Sequence, residues 1–388
     1  MKLQMTYKYR LYPTQEQQEQ IKKTCDCVRY VYNKLLEDRT KHYRRTGKWK
    51  KLDLQQLDKQ PFMVGIDPGA LLWAQNSLET AYRNFFYTER NIPDRYRPES
   101  IRKAKYNNSY NITDVDLISY PRFKKKKTSK ESYTTPLKEF EVKNNRIHLP
   151  CVGDVKIRYH RDIPQNAELL SGTVRKNPSG QYYLLVRFLL PEVAKVTESK
   201  NPIGIVFEPG KLAVRSDDIS VNYRHQDEQL QKRMDMAYKT LKRRRPGSKR
   251  YEKQREYLAS LYEHRANQRK DDLHKAARQI TNASDCFYMQ KPDVRKQLSA
   301  IEDDDARTAL LDEATWTFSY FIKYKAQNEG KLFKTIPREV PIFSTCSGCN
   351  SNVNEEPQEN WCCPECGAKF DAYLNAAVNL RNMAAAAW

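Results

Sequence analysis

Four cysteines near the C-terminus, Cys346-x2-Cys349 and Cys363-x2-Cys366, have the spacing that speaks most directly of chemistry. Two thiolates two residues apart make one knuckle, and two knuckles can close a tetrahedral zinc site. Zinc held in this way is structural and contributes folding free energy directly. Cys362 adjoins a ligand and could compete, but the x2 spacing favours Cys363. The chain has nine cysteines. In a cytosolic protein that number argues against a disulfide framework. Cys25, Cys27, Cys151 and Cys286 read as small buried apolar residues.

The second chemical signal is charge. The formal net charge is +21, and the basic side chains sit among 25 tyrosines. Such an excess favours a polyanion, either nucleic acid or an anionic membrane surface. Tyrosines among cations suit stacking on bases and contacts to a sugar-phosphate backbone. Basic structural proteins share this composition, so charge says nothing about catalysis. The run Lys124, Lys125, Lys126, Lys127 in "YPRFKKKK" reads equally as a solvated loop or a phosphate-contacting one. No apolar run approaches the roughly 20 residues that span a bilayer, and the first residues lack the apolar core of a secretory signal. A cytoplasmic protein is expected.

These residues need elements to position them. The 388 residues, 39% hydrophobic and 30% charged, leave room for two or three folded domains. "QMTYKYRLYP" reads as a strand closed by Pro13. Thr14 with Gln17 three residues on is a capping-box pattern, and Ile21, Cys25, Val28, Tyr32 and Leu35 recur at helical spacing. "LLWAQNSLETAYRNFF" predicts a second helix, with Leu78, Ala81, Tyr82 and Phe85 inward. From about residue 118 the pattern turns to strands, and "NPSG" between two β-rich runs is a hairpin signal. This region reads as a β-barrel or sandwich completed by the N-terminal strand. "IGIVF" and "KLAVRS" open an α/β module. Pro246-Gly247 divides a long basic helical stretch in two, "CFYMQ" reads as a buried strand, and "LNAAVNLRNMAAAAW" closes the chain as a helix.

The order of these pieces resembles the TnpB family of RNA-guided nucleases encoded by bacterial insertion sequences, regarded as ancestors of type V CRISPR effectors. The resemblance runs through "KYRLYPTQEQ", "VRYVYNKLLEDR", "YPRFKKKK", "VGDVKIRYHRDIP", "NPSGQYY", "LHKAARQI" and "YKAQNEGK", and ends in "STCSGCN…CPECG…LNAAVNL". It implies a multidomain α+β fold with a first wedge strand over 1–13, a helical recognition domain over 14–117 and a β-barrel wedge domain over 118–198. A RuvC-like RNase H-fold domain would cover 199–340, including a basic helical insertion, and resume over 370–388 around a zinc-binding domain at 341–369. The implied partners are a guide RNA and a double-stranded DNA target, with no membrane and a monomer on one RNA. In a bacterium the protein would be cytoplasmic, and nucleoid-associated when target-bound.

Members of the family cut DNA with three carboxylates that hold divalent metals. At the three matching positions this chain has Val206 in "GIVFEPGKLAV", Gln290 in "CFYMQKPDV" and Tyr373 in "DAYLNAA". Glu208, Asp293 and Asp371 lie close by. Two residues along a strand, however, move a side chain about 6–7 Å, more than the metal–metal separation of about 3.5–4 Å. The chain therefore looks like the nuclease-dead TnpB-like repressors. The expectation is no enzyme, no catalytic magnesium, and guide-directed DNA binding that blocks transcription next to a short flanking motif. Two alternatives stand beside it: an active RNA-guided endonuclease using the shifted acids, and a guide-independent nucleic-acid-binding accessory of transposition. By family position, Gln75, Asn76, Thr134 and Thr135 are candidate readers of the flanking motif. Arg122, Lys124 to Lys127, Arg243, Arg244, Arg245, Arg269 and Lys275 are candidate backbone contacts.

Overall fold

Alternation in "LQMTYKYRLY" makes the first strand, β1 (Leu3–Tyr12), two-faced. Tyr7, Tyr9 and Leu11 are buried, while Lys8, Arg10 and Tyr12 point the other way. The computed structural model describes residues 3–46, 48, 53–57, 60–91, 120–126, 130–137, 139–191, 201–208, 211–221, 227–291, 298–299, 302–303, 307, 314–352 and 361–386. It divides into two units, Met1–Pro191 and Glu192–Trp388.

In the first unit the capping box closes as its sequence indicates. Thr14 N donates to Gln17 Oε1 at 3.0 Å, and Gln17 N donates to Thr14 Oγ1 at 3.4 Å. It starts helix α1 (Gln15–Thr46), which buries Ile21, Cys25, Val28, Tyr32 and Leu35. Burial of the aliphatic members Ile21, Val28 and Leu35 contributes about 1.5–3 kcal/mol each. Helix α2 (Pro68–Asn91) sets Leu78, Tyr82 and Phe85 in the same core. Buried Arg39 of α1 pairs with Glu79 of α2, and the hydroxyls of Tyr82 and Thr40 both meet Tyr120 OH, at 2.9 and 2.8 Å.

The core is closed by a sheet of β1 with β2 (Ser132–Pro136), β3 (Val142–Lys143), β4 (Arg146–Leu149), β5 (Gly153–Arg158), β6 (Glu168–Lys176) and β7 (Tyr182–Leu190), in the order β2-β6-β7-β1-β5-β4-β3. β1 runs antiparallel to both β7 and β5. The hairpin β6–β7 turns at Asn177–Gly180, where Gly180 N donates to Asn177 O at 2.9 Å and Gly180 takes φ +77°. Cys25, Cys27 and Cys286 are buried, but the expectation for Cys151 is corrected: it is exposed, at φ +59° in the turn between β4 and β5.

The second unit holds β8 (Ile203–Glu208), β9 (Lys211–Arg215), β10 (Ser220–Val221), β11 (Cys286–Gln290) and β12 (Leu332–Ile336), ordered β10-β9-β8-β11-β12. β8 and β11 are parallel, as are β11 and β12. Every residue of β8 is buried, the mark of a strand covered on both faces. The helices of its unit include α3 (Glu228–Lys242), α4 (Lys249–Ala283), α5 (Thr315–Asn328) and α6 (Ala372–Ala386). On one side Ile203, Ile205 and Phe207 meet Leu273, Ala277 and Ile280 of α4, and Phe318, Phe321 and Ile322 of α5. Val206 on the opposite face meets Ala376, Ala377 and Leu380 of α6. Helix α3 lies against α4 through Leu230, Met234, Leu258 and Leu261, and the two are separated by a break at Pro246-Gly247 in which Gly247 takes φ +82°. Strands β13 (Trp361–Cys362) and β14 (Lys369–Phe370) pair beside the second cysteine knuckle. Among the described residues no helix is long and apolar enough to cross a membrane.

Candidate nucleic-acid interface and metal centre

The two knuckles fold as repeats of one turn. Asn350 N donates to Cys346 O and Gly367 N to Cys363 O, both at 2.9 Å, while Cys346 N reaches Ser351 O and Cys363 N reaches Ala368 O. Asn350 and Gly367 occupy the matching position with φ +61° and +68°. The four thiols Cys346, Cys349, Cys363 and Cys366 lie within 4.8 Å of one another. Two of the sulfur–sulfur distances, Cys346–Cys366 and Cys349–Cys363, are 3.7 Å. A tetrahedral zinc ion with Zn–S of about 2.3 Å requires about 3.8 Å between sulfurs. The cluster fits such an ion. Cys362 is turned out of it and donates to Gly367 O at 3.6 Å.

Two of the four thiols are shifted toward the thiolate form, while burial and the neighbouring thiols push Cys366 up to about 12. Hydrogen bonding from the Cys366 backbone N–H first, and from the Ser351 hydroxyl, pulls the Cys363 thiol down to about 6. The Ser351 hydroxyl, 3.0 Å from Cys349 Sγ, lowers that thiol as well.

Val206, Gln290 and Tyr373 are brought to one region of the second unit. Val206 and Tyr373 belong to the same apolar cluster, and the Tyr373 ring meets Phe343 edge-on at 5.7 Å. Gln290 ends β11, the strand beside β8, and its Nε2 donates to Pro337 O at 2.9 Å and Val340 O at 3.0 Å. Of the neighbouring acids, Glu208 is buried two residues along β8 from Val206, across a register irregularity with β9. Asp371 caps α6, accepting from Tyr373 N and Leu374 N at 2.9 and 3.0 Å. Asp293 lies outside the described residues.

The candidate motif readers divide. Gln75 is not presented to a ligand: its Oε1 accepts from Leu54 N at 2.8 Å and its Nε2 donates to Asp53 at 2.9 Å. Thr135 is buried, which corrects its placement as a surface contact. Asn76 is exposed, and Thr134 bonds Thr173 across β2 and β6 at 2.8 Å. Among the basic candidates, Arg122 and Lys125 are exposed. The Lys124 ammonium lies 3.8 Å over the Tyr32 ring, and burial lowers its pKa. Lys126 faces Asp26 at 3.8 Å, and Lys127 lies outside the described residues. Arg243 and Arg245 are exposed where α3 gives way to α4, while Arg244 donates to Arg250 O at 2.6 Å. Arg269 is half-exposed, and Lys275 pairs with Asp271 at 2.6 Å.

Sequence reasoning missed a denser cationic surface. On the outward face of the seven-stranded sheet, Arg158 of β5 stands opposite Arg10 of β1, Arg10 opposite Tyr183 of β7, and Tyr183 opposite Arg175 of β6. One row across four strands thus holds three guanidiniums around a tyrosine. In the next row Tyr12 stands opposite Lys156, and Lys156 opposite Arg146 of β4. Arg10 donates to Tyr183 OH at 3.1 Å and lies 5.1 Å from that ring. Like charges directly opposite on a sheet are destabilising. Among the described residues Arg10, Lys156, Arg158 and Arg175 form no ion pair with a carboxylate to offset this. An anion laid along the row would. Beside it Tyr12, Asn145, Lys156, Ile157, Arg158 and Tyr159 line a cleft of about 400 Å³, with Tyr12 and Tyr159 exposed as stacking surfaces. The alternation of Lys8, Arg10 and Tyr12 was the signal in the sequence.

Known proteins match this chain in parts and along its length. Residues 1–48 match the OrfB_IS605 model described as "Helix-turn-helix domain", 192–297 the OrfB_IS605 model described as "Probable transposase", and 317–380 the "Cas12f1-like, TNB domain". The described part of 1–48 forms one strand and one long helix in this structure, not two helices joined by a turn. The chain is 25% identical to a "Putative RNA-guided DNA endonuclease" of Streptomyces pristinaespiralis, covering 96% of this chain and 88% of that protein. It is 20% identical to the "Putative RNA-guided DNA endonuclease InsQ" of Escherichia coli K12, covering 98% and 92%. Among solved structures, the Cas12f1-sgRNA-target DNA complex aligns over 98% of this chain and 99% of that one, with TM-score 0.48 and 14% identity. The mini-RNA-guided endonuclease CRISPR-Cas_phi3 aligns over 99% and 92%, with TM-score 0.45 and 9% identity.

These relatives correct the expectation that the chain is no enzyme: proteins aligned with nearly its whole length are named as endonucleases, which are enzymes. Neutral side chains at Val206, Gln290 and Tyr373 do not empty the region of acidic residues either, since Glu208 lies buried on the same strand as Val206.

Proposed function

The chain belongs to the TnpB family, which is RNA-guided DNA endonuclease-like, and from that premise we propose that it binds a guide RNA whose pairing selects a double-stranded DNA target beside a short flanking motif, and that occupancy of the target represses transcription there. In this reading base pairing carries the sequence information, while the protein holds the duplex by its backbone and shape. The seven-stranded sheet serves as the wedge, the five-stranded sheet with its helices is a RuvC-like domain, and the cysteine cluster holds structural zinc. Asn76 and Thr134 remain candidates for the flanking motif.

The observation that carries this reading is the row Arg158–Arg10–Tyr183–Arg175, a surface whose charges call for a polyanion. Sequencing the RNA that copurifies with the protein tests the guide: one dominant species with a fixed scaffold supports it, and a random mixture overturns it. Affinity for that RNA tests the surface. Replacing Arg10, Arg158 and Arg175 together by alanine is expected to weaken binding at every sequence and to flatten the salt dependence by about one unit of slope for each phosphate left without its arginine. Wild-type affinity and slope in that triple variant would exclude the sheet as the interface. A reporter with a matched site across its promoter reads repression directly.

A second reading, target cleavage, is favoured by the relatives' names and by the burial of Glu208 beside Val206. Guide-dependent cutting of matched DNA with Mg²⁺ or Mn²⁺, abolished in Glu208→Ala, would establish it in place of repression by occupancy alone.

A further inference from the structure

The segment 337–347, which leads from β12 into the first knuckle, is gripped along its length by side chains from β11 and α6. Gln290 Nε2 donates to Pro337 O and Val340 O. The Tyr373 ring rests against Phe343. Asn379 Nδ2 donates to Ile342 O at 2.8 Å and Thr345 O at 2.7 Å. Asn375 Nδ2 donates to Thr345 O while its Oδ1 accepts from Ser347 N, both at 2.8 Å. Asn375 therefore brackets Cys346, holding the residue before the ligand and the residue after it. Asn375 and Asn379 are buried and lie one helical turn apart on α6, so both address the segment from one helix face. The other side of α6 is fixed by close approach to β8: a Cβ on Gly204 would fall 1.9 Å from Ala377 O.

We infer that Gln290, Tyr373, Asn375 and Asn379 form a clamp that positions the metal ligand Cys346 and couples metal occupancy of the four-cysteine site to the order of α6 and of the region around Val206. The chemistry at Gln290 is specific. Both its contacts are donations to carbonyl oxygens, which only the amide can make; a carboxylate in its place would face two acceptors. Groups that orient a metal ligand from outside its coordination sphere typically contribute 10–100-fold to metal affinity. Coupling between two sites is reciprocal, so removing the metal must loosen what the clamp holds. The inference does not depend on a guide RNA or on cleavage.

The test uses the full chain. Zinc affinity is measured by chelator competition, the thiolate–metal absorption bands of the Co²⁺-loaded protein report whether four sulfurs still bind, and hydrogen exchange follows α6 with and without metal. In the wild type, chelation is expected to raise exchange at 342–347 and through 372–380. Asn375→Ala with Asn379→Ala is expected to weaken zinc binding about 10–100-fold with the Co²⁺ bands retained, and α6 should no longer respond to the metal. Gln290→Glu, nearly isosteric and far from the cysteines in sequence, is expected to weaken zinc in the same direction. A clamp that merely stabilises the fold would lower the melting temperature and leave zinc affinity unchanged in both variants; that result overturns the inference. So does α6 exchange that is indifferent to metal in the wild type, a measurement that holds even if a variant fails to fold.

Discussion

Cys363 shows how one backbone contact prepares a residue for its ligand. An ordinary thiol is protonated at neutral pH, but the Cys366 N–H stabilises the charged sulfur and brings Cys363 down to about 6. Metal needs the thiolate, so a proton competes with it wherever the pH lies below that value. Zinc affinity should therefore gain no pH dependence from Cys363 above about pH 6, and should fall about tenfold per unit below it from this ligand alone. Chelator competition at pH 7 and pH 5 checks the sign: weaker binding on acidification is required. Ser351→Ala, which removes the hydroxyl that serves both Cys349 and Cys363, should move the onset of that loss to higher pH. Cys363→Ser should remove the ligand outright and destabilise the C-terminal knuckle.

At the scale of elements, the contact of β8 with α6 depends on one missing methyl group. Gly204 takes no unusual backbone angle; it is glycine because Ala377 O occupies the space a side chain would need. Gly204→Ala must push α6 off the sheet or bend β8, at a cost of about 1–3 kcal/mol or more, read as a lower urea midpoint for the second unit. Gly153→Ala, where nothing lies within 4 Å and only the positive φ resists, is the milder control. The elements themselves were largely legible. The Thr14–Gln17 capping box, the turn at Asn177–Gly180 and the break at Pro246-Gly247 each rest on neighbours in sequence, and each formed. What was not legible depends on partners far apart. Arg10 and Arg158 become opposites only when β1 pairs with a strand some 150 residues later. Gln75 looked like a surface amide until Asp53 and the Leu54 N–H claimed both its ends. Asn375 reads as a helix residue, and nothing local says that it holds a cysteine's neighbours.

For the whole molecule, the net charge of +21 sets the class of partner, and the separate cores set how stability is distributed. The cluster around Tyr9, Leu35 and Phe188 lies wholly within the first unit. The clusters around Phe287 and around Val206 with Ala377 lie wholly within the second, which also holds the four clustered cysteines that could bind a metal. Metal binding free energy is folding free energy for the part that holds the site, and a ligand that binds only the folded form raises the apparent stability of that form. The chain should accordingly melt in two transitions rather than one. Chelation should lower one of them, followed at Trp316 or by exchange through 315–328, and leave the transition of residues 3–191 in place. Restoring Zn²⁺ should return the shifted transition. A single transition, or a chelator shift shared equally by both units, would mean that the two cores unfold together and that the four cysteines stabilise the chain as one cooperative body.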